Sequence, residues 1–139
     1  MSARSKARKR ALDLLYAAEL RQQSLSEALA DAAIRAASEP QRAASWAYAR
    51  EIVEGVIDHA TEIDQAIAAQ SRDWSLERMP AVDRALLRLA TWEIRYNDEV
   101  DVAVAITEAV ELARTLSTDD SARFVNGVLD AIAHAAPIE

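Results

Sequence analysis

The chain has no cysteine, two glycines, three prolines and a single phenylalanine in 139 residues. Without cysteine, disulfides and thiolate metal centres are excluded. Two glycines, Gly55 and Gly127, cannot build a Gly-rich phosphate cradle, and no serine sits in a nucleophile-elbow context. Neither His59 nor His134 follows a glutamate by three residues, so the Glu-x-x-His arrangement of di-metal helical bundles is missing. The reading is therefore of a non-enzyme with no cofactor and no metal. No uninterrupted apolar stretch reaches the ~18 residues of a membrane span, and no apolar signal segment is seen at the N-terminus. A cytoplasmic protein without membrane contact is expected.

With 51% apolar and 28% charged residues, there is enough apolar material for a core, and a single domain over 1–139 is expected. Scarce glycine and proline beside abundant Ala, Leu, Glu and Arg favour helices over sandwiches and barrels. The net charge of −7 speaks against a polyanion partner, but its distribution does not. Five of the 16 basic residues, Arg4, Lys6, Arg8, Lys9 and Arg10, precede the first acid, Asp13. A cationic head on an acidic body is compatible with RNA, because the potential of distant acids is screened over roughly 8 Å at physiological salt.

Apolar residues recur at helical spacing along the whole chain. A first amphipathic helix is expected over 4–22, with Ala11, Leu14, Leu15 and Ala18 as its core side. Ser24 followed by Glu27 reads as a capping box for a helix to about Ala37. Pro40 starts the next segment, which splits near 58–61 into two helices. Residues 71–80 form an irregular connection, followed by helices from Ala81 to Tyr96, from an Asp101 N-cap to Thr115 with apolar Val104, Ile106, Ala109, Val110 and Leu112, and from Ser117–Asp120 to about Ala135, before Pro137. Strand alternation never persists. The fold class is all-α, a compact bundle of about seven helices.

Three faces suggest function. On the first helix, Lys9, Leu12, Asp13 and Tyr16 lie off the expected core side, and a tyrosine one turn beyond a basic arm suits stacking of a base. On the last helix, Phe124 stands beside Arg123 and Asp120, and a glycine inside a helix, Gly127, implies close approach by a neighbouring helix or a ligand. On the helix after Pro80, Asp83, Leu87, Ala90 and Ile94 form a second apolar stripe that either another helix of the same chain covers or a protein partner or a second copy of the chain binds. Glu93 lies among apolar positions and needs a partner.

The segments Ala7-Arg8-Lys9-Arg10-Ala11 with Leu14-Leu15-Tyr16, Val82 to Ala90 with Glu93, Ile106 to Ala113, and Asp120-Ser121 with Arg123-Phe124-Val125-Asn126-Gly127-Val128-Leu129-Asp130 resemble the NusB family of transcription antitermination factors in order and spacing. The resemblance implies an all-helical NusB-like RNA-binding protein that recognises single-stranded boxA RNA in ribosomal RNA leader transcripts. Its partner would be the ribosomal small-subunit protein also called NusE, within an antitermination complex with RNA polymerase. It also implies that Arg4, Lys6, Arg8, Lys9, Arg10, Tyr16, Asp120, Arg123 and Phe124 lie along RNA, and that the helix bearing Asp83 helps contact the partner. The rival reading is a protein-only helical adaptor or dimerising scaffold with a solvated basic arm.

Overall fold

Local chemistry decides where each helix of this computed structural model begins. The structure describes residues 2–72 and 74–135. The Ser2 hydroxyl accepts from the Ser5 N–H and opens α1, Ala3–Leu20. The Ser24 hydroxyl does the same for Glu27 at the head of α2, Leu25–Ala36. The turn between them closes in a Schellman arrangement: the Gln23 N–H bonds to Ala18 O and the Gln22 N–H to Glu19 O. Gln22 takes the left-handed φ of 54° that this ending needs and that glycine supplies more cheaply.

Pro40 begins a single 3₁₀ turn, Pro40–Arg42, which feeds α3, Ala43–Asp58. The expected split falls at His59, before α4, Ala60–Gln70. The connection 71–80 contains a second 3₁₀ turn, Leu76–Arg78, and leads to α5, Ala81–Tyr96, and α6, Val102–Leu116. Asp101 occupies the N-cap position of α6 without a side-chain capping bond. Thr118 caps α7, Asp119–His134, by accepting from the Ser121 N–H. Pro137, expected just beyond this helix, lies outside the described residues. Among the described residues there are seven α-helices and no strand. None of these helices is long and apolar enough to cross a membrane, and among the described residues no cluster of three acidic or histidine side chains could hold a metal ion.

The chain divides into two compact units, Met1–Asp58 and His59–Glu139. In the first, α1 lies along α3 and α2 packs on both. Its core is small and aliphatic: Ala7, Ala11, Leu12, Leu15, Ala49, Ile52 and Val53 are buried. The face of α1 is rotated from the expected one, with Leu12 buried and Leu14 only half-buried.

In the second unit α5 is the central helix, touching α4, α6 and α7. A helix that is apolar on nearly every side is buried on nearly every side, and so it is here. Leu86, Leu89, Trp92 and Glu93 are buried, and so are Leu87, Ala90 and Asp83. The stripe expected to bind a protein partner is thus interior: Asp83, Leu87 and Ala90 are 0% exposed, and Ile94 is half-buried. Neither carboxylate oxygen of Asp83 has a hydrogen-bond partner.

The inward face of α6 is not the one its larger apolar residues mark. Ala105, Ala109 and Ala113 are its buried residues, while Val104 is 45% exposed and Ile106, Val110 and Leu112 are half-buried. Alanine at every fourth position lets the α6 backbone approach α5 and α7 closely, which larger side chains would prevent. Across the α4–α5 contact, the Arg88 guanidinium grips Asp64 with two bonds of 2.9 and 3.1 Å.

Candidate nucleic-acid interface

The basic arm is the first turns of α1, and the helix sorts its five cations by direction. Arg4 and Lys6 are exposed. Lys9 is half-buried and bonds both oxygens of Asp13, one turn on, at 2.8 Å. Arg10 lies over the Trp46 ring at 5.6 Å and donates to Ser45 Oγ and to the Arg42 carbonyl. Burial lowers its pKa from the usual guanidinium value, and the nearby positive charge of Arg42 lowers it further, against a smaller opposing effect of Glu39. Tyr16 is half-buried on the flank of the helix, which leaves part of its side chain accessible.

Arg8 departs from the expectation of a surface cation. It is 2% exposed, and its guanidinium lies 5.9 Å from the Tyr48 ring centre, with Arg4 at 5.2 Å from the same ring. In this conformation it cannot reach a phosphate. The reason is rotational: Arg8 is followed at three, four and seven residues by Ala11, Leu12 and Leu15, all buried. That spacing placed it within the core arc, a signal its charge concealed.

A cavity of about 520 Å³ opens beside Arg10 and Trp46, and Arg21, Arg35 and Arg42 line it as well. The acids on its wall are engaged: Asp13 with Lys9, Glu39 with Arg42, and Asp31 with the Gln23 amide. Arg21, Arg35, Arg42 and Trp46 were not singled out from the sequence, because they come from four separate places: the end of α1, α2, the 3₁₀ turn and α3.

On α7, Asp120 and Arg123 are exposed and paired with each other. Phe124 is half-buried and forms a T-shaped pair with Trp74, with ring centroids 5.1 Å apart at 68°. The two rings, with Arg72, Arg123 and Gly127, line a cleft of about 590 Å³. Edge-to-face packing leaves ring surface open on both aromatics. Trp74 and Arg72 were missed in the sequence because the 71–80 connection carries no periodicity to aim them.

The expectation that a helix packs on Gly127 is also corrected. The residue is exposed, and among the described residues a Cβ there would meet nothing within 4 Å, which leaves a ligand as the expected close neighbour.

The model of the NusB family matches residues 5–134. The chain is 63% identical to the transcription antitermination protein NusB of Leifsonia xyli over 137 residues, covering 99% of this chain and 95% of that one. It is 59% identical to the protein of the same name from Clavibacter sepedonicus, covering 97% and 98%. Among solved structures, T. maritima NusB superposes with a TM-score of 0.81 at 30% identity, covering 97% of this chain and 93% of that one. A chain from a crystal structure of antitermination factors NusB and NusE in complex with dsRNA gives 0.81 at 27% identity, covering 98% and 99%. Seven helices, an exposed cationic and aromatic surface and these relatives define the class, a non-enzymatic transcription antitermination factor. The chain belongs to the NusB family.

Proposed function

We propose that this chain binds the single-stranded boxA element of ribosomal RNA leader transcripts jointly with NusE. It would act in the cytoplasm as part of an antitermination complex with RNA polymerase. The observation that carries this reading is the superposition, over nearly the whole chain, on a chain from a crystal structure of antitermination factors NusB and NusE in complex with dsRNA; the exposed cations and accessible rings of this chain support the single-stranded form. The side chains suit the task. Arg4, Lys6, Lys9, Arg10 and Arg123 supply charge for phosphates, Tyr16 and Phe124 supply rings for unstacked bases, and Asp120 orients Arg123. Arg8 supports the arm from within.

Because few cations are available, affinity of the chain alone is modest. NusE raises it by linkage, since each component binds the pair of the other two more tightly than it binds either one. Anisotropy titrations of boxA and scrambled RNA, with and without NusE, test this. Preference for boxA and a gain with NusE are expected. Equal affinity for both RNAs, unchanged by NusE, would refute the reading in favour of a protein-only adaptor. Sedimentation of the same samples distinguishes a heterodimer with NusE from a homodimer of this chain.

A further inference from the structure

Glycine inside a helix is unfavourable relative to alanine because it loses more conformational freedom on folding. In α7 nothing in the fold compensates for it. Gly127 does not have a positive φ, it is exposed, and among the described residues a Cβ on it would meet no atom within 4 Å. Neither backbone geometry nor packing therefore requires glycine there. The missing side chain does have one effect: it leaves bare helix backbone on the floor of the cleft, one turn from Phe124.

The rest of the cleft is built for a flat, anionic-linked ring. Trp74 and Phe124 present aromatic surface, Arg72 and Arg123 flank them, and no described carboxylate lines the wall. The cleft, at about 590 Å³, is large enough to admit a nucleobase.

We infer that Gly127 is a specificity-determining residue and that Trp74 is part of the stacking platform it serves. Gly127 keeps the α7 backbone bare so that one unstacked base of single-stranded RNA lies against it and stacks on the Trp74–Phe124 pair, with neighbouring phosphates at Arg72 and Arg123. This rests on the RNA-binding reading above and assigns one base to one cleft. A side chain at 127 lifts the base from the helix, and loss of the indole removes half of its platform.

Two quantities that ordinarily move together should here move oppositely. Gly127→Ala in the full chain raises the melting temperature, because the helix gains a better residue without a clash. The same change lowers affinity for boxA RNA in the presence of NusE by about five- to tenfold, and Gly127→Leu lowers it further. Trp74→Ala lowers affinity by about five- to hundredfold, the range of a lost base–aromatic stack. If both Gly127 variants bind within about twofold of the unaltered chain, the inference fails while the RNA reading stands. If Gly127→Ala lowers the melting temperature, the glycine serves the fold and the inference fails as well. Absence of RNA binding by the unaltered chain overturns both.

Discussion

The burial of Arg8 makes a sharp prediction, because it separates two groups of cations that are equivalent by sequence. Arg4 and Lys6 are exposed, whereas Arg8 is 2% exposed behind the Tyr48 ring. Each phosphate neutralised on a single strand contributes about 0.7 to the slope of log affinity against log salt. The double change Arg4→Ala/Lys6→Ala should therefore reduce the slope by about 1.4. Over a fourfold rise in salt, the unaltered chain then loses about sevenfold more affinity than the variant. Arg8→Ala should leave the slope unchanged and instead remove packing around a desolvated guanidinium, at a cost of about 2–3 kcal/mol or roughly 6–15 °C in melting temperature. Anisotropy titrations against boxA RNA with NusE at three salt concentrations, combined with thermal melts, read both quantities. A folded Arg8→Ala protein whose slope falls as far as that of the surface pair would refute the reasoning, since Arg8 would then be reaching phosphate. An unchanged slope in the surface pair would remove the arm from the interface.

Two further predictions concern the second unit. Ala109→Leu should overpack the close α6 contact and destabilise by about 1–3 kcal/mol, whereas Val104→Ser, at a 45% exposed position, should stay within about 0.5 kcal/mol; denaturant titrations giving the reverse order would mean that α6 faces the other way. The Arg88–Asp64 pair is about one-third exposed at each end, so a double-mutant cycle should return a coupling of only about 1 kcal/mol despite its two-bond geometry, and a value several times larger would show a drier contact than the structure has.

In the RNA interface proposed above, the division of work between electrostatics and stacking would follow from how the side chains are held. Exposed cations on α1 act through long-range attraction that salt weakens, and they carry little base information. Phe124, in its T-shaped pair with Trp74, acts only at contact, and stacking tolerates many sequences. Discrimination for boxA must then come from the shape of the surface that presents the rings and from the partner protein. That is why a bare glycine in α7 matters more than its size suggests.

Helix starts and stops were legible from the sequence, because capping and periodicity are local. Ser24 with Glu27, the cap-rich stretch Ser117–Asp120, the break near His59 and the role of Pro40 all depend on groups within one or two turns. So were the aromatic and cationic character of α7 and the cationic character of the arm. Periodicity, however, shows that a helix has a face without showing how many neighbours will cover it. Only packing decided that α5 is enclosed by three helices and its second stripe is interior, that α6 turns alanines rather than valines inward, and that Arg8 is a core residue. Only packing brought Trp74, from a connection without pattern, against Phe124. The physical reason is the range of the forces involved. Backbone hydrogen bonds and caps are satisfied between residues a few positions apart, whereas the burial of a side chain depends on segments distant in the chain that arrive only when the helices pack.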